Sequence, residues 1–244
     1  MAFGGAQNLA RSPELLPKLL WTLGLLCAYR IGVHIPVPGV DGAALNSFFE
    51  SVAGTLFGLF DMFSGGALSN VSVFALGIMP YISSSIIIQL LQVVSPELKR
   101  MAKEEGAAGR RKITQYTRYG TVLITIIQGF GIAVGLETMY SNSGAAVVPV
   151  PGWTFRIMTI LTLTAGTVLI MWLGEQITEK GIGNGISLII FSGIVVGIPG
   201  AAVKSYQLIS MGEISIFIAI ALLVFMLAVL AGVVFMERAQ RRIP

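Results

Sequence analysis

The chain has 244 residues, of which 55% are hydrophobic and only 11% are charged, whereas about 25% of residues are charged in an average soluble domain. Its formal net charge is +4 and its mean hydropathy is +0.82, and a soluble globule of this size could not bury so much apolar surface. The composition therefore excludes a soluble domain and a disordered chain, and it predicts a membrane protein.

Windows without charged residues predict six transmembrane helices, since about 20 apolar residues cross a bilayer. In chain order the windows cover residues 19–33, 71–94, 120–136, 157–174, 181–203 and 214–236. Arg30 is the one charge within them, and we expect its side chain to extend to the headgroups near the helix end. Nine of the ten prolines lie at or beyond window ends, and Pro80, the exception, predicts a kink in the second helix.

The positive charges lie mainly on one side of these helices. Thirteen Lys and Arg residues fall in segments on that side and three on the other. Because cytoplasmic loops carry the excess of Lys and Arg, both ends of the chain are predicted to be cytoplasmic. The predicted organisation is a cytoplasmic segment, a five-helix body, an outer loop, a sixth helix and the start of a cytoplasmic loop, over residues 1–18, 19–203, 204–213, 214–236 and 237–244.

The outer segment over residues 41–70 contains an apolar stretch of about 12 residues, which is too short to cross the membrane. Its apolar stretch over residues 52–63 is followed by Ser64, Gly65 and Gly66, which form a flexible break. From the residues alone, two interpretations stay open. The stretch is either a re-entrant segment that is buried in protein or lines a cavity, or an amphipathic helix on the outer membrane surface.

The second predicted helix is unusually rich in small and polar residues for a membrane span. Besides Pro80 it carries three consecutive serines and two glutamines, which favour either close helix packing or a helix that borders an aqueous path. Ile78, Ile82 and Ile86 recur every four residues on one face. Such a stripe usually faces lipid or packs in the core, although a narrow ring of isoleucines also gates pores by dewetting.

No pattern in the sequence is typical of an enzyme or a metal site. The charge-free windows contain no Ser–His pair and no paired carboxylates, and the lone His34 has no Cys or Glu cluster beside it. A secondary transporter with broken helices and a re-entrant segment is one alternative function. Ion-coupled transporters, however, usually place Asp, Glu or His inside the membrane, and the charge-free windows contain none of these residues. We therefore predict no catalytic residue, no metal site and no cofactor.

Five segments resemble the SecY family, the channel subunits of the bacterial Sec protein translocon. Two are the runs SVFALGIMPYISSSIIIQLL at residues 72–91 and WLGEQITEKGIGNGISLII at 172–190, and the others are residues 30–39, 62–69 and 109–119. The resemblance implies an all-α polytopic membrane protein with six transmembrane helices and a re-entrant plug helix, the first half of an inverted-repeat fold. It also implies four further helices after Pro244, in a C-terminal half of the same channel.

The resemblance assigns roles to particular residues. The plug, which fills the outer funnel of the resting channel, maps to about residues 54–70 and includes Gly54, Leu56, Phe57, Phe60, Asp61, Phe63, Ser64, Gly65 and Gly66. The pore ring maps to Ile78, Ile82 and Ile190. The lateral gate, where signal sequences and membrane helices leave for the lipid, maps to Pro80, Ser83, Gln89 and Gln128.

The implied function is the central pore subunit of a protein-conducting channel in the bacterial inner membrane, which passes unfolded polypeptides across and membrane helices sideways into the bilayer. The implied partners are the SecE and SecG subunits, the ribosome or the SecA motor ATPase, signal sequences and nascent polypeptides, and the lipid bilayer. Six basic residues are candidates for contact with ribosomal RNA or anionic lipid, although helix orientation also requires positive charge. They are Arg110, Arg111, Lys112, Arg238, Arg241 and Arg242.

Overall fold

The computed structural model of the chain describes residues 15–52, 64–103, 106–140, 144–212 and 215–238. These residues form eight helices: α1 (Leu15–Gly32), α2 (Gly42–Val52), α3 (Met79–Val94), α4 (Pro96–Lys103), α5 (Gly106–Glu137), α6 (Trp153–Lys180), α7 (Gly185–Ser210) and α8 (Ile216–Arg238). The chain divides into two compact units, Met1–Val195 and Val196–Pro244, with the boundary inside α7. Within the first unit, α5 packs against α3, α4 and α6, and α6 also packs against α1.

Five helices, α1, α5, α6, α7 and α8, are long and apolar enough to cross a membrane. They confirm five of the six predicted spans. The remaining predicted span, over residues 71–94, differs. Its helix, α3, has only 16 residues and is about 24 Å long, less than the roughly 30 Å of bilayer hydrocarbon. The helix predicted over residues 71–94 begins only at Met79.

The eight residues before α3, residues 71–78, form turns, and Gly77 and Pro80 explain why. Gly77 has a φ of +54°, which ends any helix that precedes it, and Pro80 lies in the first turn of α3, where its missing N–H is not needed. The prediction that Pro80 kinks a helix is wrong, since Pro80 begins one. Ile78 is the N-cap of α3, and its carbonyl accepts the amide of Ile82 at 3.1 Å, so Ile82 and Ile86 lie within the helix and Ile78 at its start.

Helix α7 also ends later than predicted. It continues to Ser210 instead of residue 203, so most of the predicted outer loop over residues 204–213 is helical. Pro199 was expected at or beyond the end of this helix but lies inside it. The helix continues past Pro199 although proline lacks a backbone donor.

A hydrophobic cluster joins α2, the turns before α3, and the connection between α5 and α6. Its buried members are Val37, Ala44, Leu45, Val71, Ala75, Leu76, Ala133, Leu136, Val147, Val148, Phe155 and Leu163. Asp41 caps the start of α2, because its Oδ1 accepts the amides of Ala43 and Ala44 at 2.9 and 3.3 Å. The Asp41 amide donates to the Val147 carbonyl at 2.9 Å, which ties α2 to the α5–α6 connection.

An ion pair closes the connection between α5 and α6. Nη2 of Arg156 lies 2.6 Å from Oε2 of Glu137, and the Gly152 amide donates to Oε1 of the same carboxylate at 2.9 Å. The guanidinium of Arg156 also lies 5.3 Å from the ring centroid of Trp153. The end of α5 and the start of α6 are thus fixed to each other by charge as well as by packing.

Candidate functional site

The three isoleucines assigned to a pore ring come together in one hydrophobic cluster. Ile78 is 6% exposed and belongs to the buried part of the cluster, and Ile82 and Ile190 are partly buried against that cluster. The other buried members of this cluster are Tyr29, Val33, Ala67, Phe74, Ile170, Leu173, Ile177 and Ile189. Side chains from α1, α6, α7 and the turns before α3 therefore converge here, and Ile82 and Ile190 keep part of their surface outside the cluster.

The turns before α3 pass between α1 and α6 without room for extra atoms. A Cβ at Gly166 of α6 would overlap the carbonyl oxygen of Val73, and a Cβ at Gly32 of α1 would overlap the ring of Phe74. Close packing at these two glycines sets the path of the backbone. That path fixes the position of Ile78, the first isoleucine of the cluster.

Two neighbouring side chains of α1 bind the backbone at the end of the predicted plug. The hydroxyl of Tyr29 donates to the carbonyl oxygen of Ser64 at 3.0 Å, and Nη1 of Arg30 donates to that of Gly65 at 2.6 Å. The expectation that Arg30 extends to the headgroups missed this contact, because its partner lies 35 residues further along the chain.

The other assigned plug residues lie outside the described part of the chain: Gly54, Leu56, Phe57, Phe60, Asp61 and Phe63. Both interpretations of residues 52–63, a re-entrant segment and a surface helix, therefore stay open. Gly66 is described, and its carbonyl accepts the Ser69 hydroxyl at 3.1 Å.

The residues assigned to the lateral gate do not form one hydrogen-bonded group within the described part of the chain. Pro80 is buried in the first turn of α3, Ser83 is half-buried, and Nε2 of Gln89 donates to Oγ of Ser85 in the same helix at 3.2 Å. Gln128 lies on α5, and its buried Oε1 has no hydrogen-bond partner among the described residues. The grouping of these residues stays a prediction.

The serine that joins α3 to α5 is Ser84, which the sequence did not single out. Its hydroxyl donates to the carbonyl of Thr117 at 2.7 Å, and Ser84 is 1% exposed. A Cβ at Gly120 would overlap that hydroxyl, so the two helices meet at small residues. The buried Thr121 and Thr125 continue the same face of α5, and this four-residue spacing is the signal that would have located the contact.

The basic residues assigned to partner contact lie at helix ends. Arg110, Arg111 and Lys112 are exposed near the start of α5, and Arg238 is the last residue of α8. With 32 residues, α5 is about 48 Å long, so its basic end extends beyond a hydrocarbon layer of about 30 Å. Arg241 and Arg242 lie outside the described residues.

The turn between α6 and α7 positions the last isoleucine of the cluster. The amide of Ile186 donates to Oδ1 of Asn184 at 3.0 Å, so Asn184 caps α7. A Cβ at Gly185 would overlap the carbonyl oxygen of Gly174, which brings the two helices into backbone contact. Ile190 therefore enters the cluster from the second turn of a helix whose start is fixed.

Comparison with known proteins identifies the family. The SecY family model matches residues 72–244, which is more than half of the chain. The chain belongs to the SecY family. The protein translocase subunit SecY of Escherichia coli (strain K12) is 51% identical over 230 residues, which are 94% of this chain and 51% of that protein.

Two further SecY relatives agree. The subunit of Buchnera aphidicola subsp. Acyrthosiphon kondoi is 52% identical over 94% of this chain and 64% of its own length. That of Aquifex aeolicus (strain VF5) is 46% identical over 95% of this chain and 54% of its own length. The chain thus spans between half and two thirds of the length of these relatives.

Solved structures show the same SecY-type helical fold. Sec61 in a canine ribosome–channel complex from the endoplasmic reticulum superposes with a TM-score of 0.64 at 18% identity, over 96% of this chain and 50% of Sec61. A structure from work on the plug domain of the SecY protein superposes with a TM-score of 0.53 at 20% identity, over 77% of this chain and 37% of that chain. At these identities the similarity concerns the fold alone.

Proposed function

We propose that this chain forms half of the pore of a protein-conducting channel in the bacterial inner membrane. The observation that carries the proposal is the convergence of Ile78, Ile82 and Ile190 from separate elements, in a chain whose relatives are translocase subunits. Isoleucine side chains offer no hydrogen-bonding group, so they seal around a polypeptide of any sequence and exclude ions by dewetting. The C-terminal half of the channel supplies the rest of the ring.

The channel is passive, and a partner drives transport. The sequence has no phosphate-binding loop motif, so the energy comes from the ribosome or the SecA motor ATPase. The protruding basic end of α5, with Arg110, Arg111 and Lys112, lies on the cytoplasmic side and meets that partner or anionic lipid headgroups. SecE and SecG complete the assembly around the two halves.

One wall of the lateral gate consists of α3 and α5. The Ser84–Thr117 hydrogen bond and the small residues around it hold these helices together, so the wall moves as one body. Gln128 faces the opposite wall, which supplies the partner that its Oε1 lacks among the described residues. Signal sequences and membrane helices leave between the two walls, while residues 54–70 plug the outer funnel at rest.

Replacement of the SecY of Escherichia coli tests this function. The full-length channel that contains this chain is produced in cells depleted of their own SecY, and signal-peptide cleavage of a periplasmic reporter is measured. Restored cleavage is expected, together with its loss when Ile78, Ile82 and Ile190 are all changed to lysine. Absence of export, together with solute uptake driven by an ion gradient in liposomes, would favour the transporter instead.

A further inference from the structure

We infer that Tyr29 and Arg30 are positioning residues that hold the chain at the point where the plug rejoins the helices. We call these two side chains the α1 clamp. The inference rests on the proposed channel function, and it assigns to α1 a part in the tightness of the resting seal. This role of the clamp requires no change in the isoleucine cluster itself.

The clamp binds backbone, not side chains. The Tyr29 hydroxyl and the Arg30 guanidinium reach the carbonyl oxygens of two consecutive residues, Ser64 and Gly65. Hydrogen bonds from a charged donor are short and strong, and that of Arg30 is 2.6 Å long in a partly buried place. Within the described part of the chain Arg30 forms no ion pair, so this carbonyl is the partner of its charge.

Helix α7 also packs closely against the held segment. A Cβ at Gly65 would lie 2.8 Å from Cα of Gly193 and 3.1 Å from Nη1 of Arg30. Gly65 also has a φ of +68°, which side chains rarely adopt. The guanidinium of Arg30 and the backbone of α7 therefore both crowd the place that a side chain at Gly65 would take.

The clamp is also connected to the isoleucine cluster. Tyr29 stacks on Phe74 with ring centroids 5.7 Å apart and an interplanar angle of 11°, which fixes the direction of its hydroxyl. Phe74 lies in the turns that lead to Ile78, and all three residues belong to the same cluster. One side chain of α1 thus contacts both the end of the predicted plug and the turns that lead to Ile78.

The test compares clamp variants of the full-length channel with matched controls in liposomes. Arg30→Gln and Tyr29→Phe remove the donors, Arg30→Lys keeps the charge, and Lys204→Gln and Tyr206→Phe change exposed residues of α7 in the same chemical way. Two quantities are measured, the resting ion leak and the backbone hydrogen exchange of residues 64–72.

For Arg30→Gln we expect exchange at residues 64–72 to rise about tenfold and the leak to rise with it, since a bond from a charged donor is lost. Tyr29→Phe should raise exchange about threefold, because it removes a neutral bond and keeps the ring stack. Arg30→Lys should fall between wild type and Arg30→Gln, and both controls should match wild type. Residues 144–152 should exchange as before in every variant.

Unchanged exchange at residues 64–72 in both clamp variants would overturn the inference, as would an equal rise at residues 144–152, which reports general loosening. If Arg30→Gln fails to assemble, Tyr29→Phe decides alone. Deletion of residues 54–70 separates the two claims. A leak that rises on deletion but not in clamp variants overturns the clamp and keeps the plug, whereas no rise on deletion overturns both.

Discussion

Arg118 and Glu175 form a two-point ion pair that joins α5 to α6. Nε of Arg118 donates to Oε1 of Glu175 at 3.0 Å, and Nη2 donates to Oε2 at 2.7 Å. The side chains are 46% and 18% exposed. The pair fixes the basic part of α5 to the last turns of α6, just before the turn that positions α7.

A double-mutant cycle over Arg118→Gln and Glu175→Gln should give a coupling free energy of about 0.5–1 kcal/mol, because a partly exposed pair gains little even with two-point geometry. Denaturant unfolding of the purified full-length channel in detergent measures it. The coupling should shrink as salt is added. The cycle of Arg110→Gln with Glu175→Gln is the control and should give no coupling. A zero value for the first cycle would contradict the pairing.

Gly166→Ala should destabilise the channel by about 1–3 kcal/mol, because the added methyl overlaps the Val73 carbonyl and forces α6 away from the turns before α3. Gly131→Ala on α5 is the matched control, since a Cβ there meets nothing within 4 Å. The control should be neutral or stabilising by up to about 1 kcal/mol through helix propensity. Equal effects of the two substitutions on the unfolding free energy would refute the close approach.

Gln128→Leu should lower the unfolding free energy of the full-length channel by about 0.6–1 kcal/mol, since the opposite gate wall is proposed to pair with this side chain. Gln115→Leu, at an exposed position of the same helix, should have a smaller effect. A channel that becomes more stable with Gln128→Leu would show that Oε1 has no partner there. The proposed role of Gln128 at the gate would then be wrong.

Most of the membrane-spanning helices could be predicted because a bilayer imposes a length and a composition on each of them. The ends of these helices could not be predicted, because the first charged residue marks the edge of the membrane, whereas the helix itself continues beyond it. The window that starts at residue 120 belongs to a helix that begins at Gly106, and Arg110 to Arg118 continue it beyond the apolar part.

The turns before α3 show where an apolar window misleads. Residues 71–78 are as apolar as a membrane-spanning helix, yet they form turns that are buried between α1 and α6. There the protein provides the backbone hydrogen bonds that lipid could not. Gly77 followed by Pro80 was the available signal, since proline favours the first turn of a helix. Hydropathy does not detect this pair, and Pro80 considered alone predicts a kink instead of a helix start.

Some residues of the candidate site could be predicted and others could not, because tertiary contacts decide the others. Ile78, Ile82 and Ile190 were assigned through the family resemblance, and they do meet in one cluster. Ser84 was missed because which of three adjacent serines faces α5 depends on the helix phase, which starts at Met79. The partner of Arg30 depends on a tertiary contact that no local pattern encodes.

Photo-crosslinking of a polypeptide in transit tests the channel most directly. A photoreactive residue is placed at position 82 or 190 of the full-length channel, or at position 161 on an exposed face of α6 as the control, and a substrate with a folded C-terminal domain is stalled during export. The account predicts crosslinks from positions 82 and 190 and none from 161. Equal crosslinks from all three positions, or none from 82 and 190 while export proceeds, would contradict it.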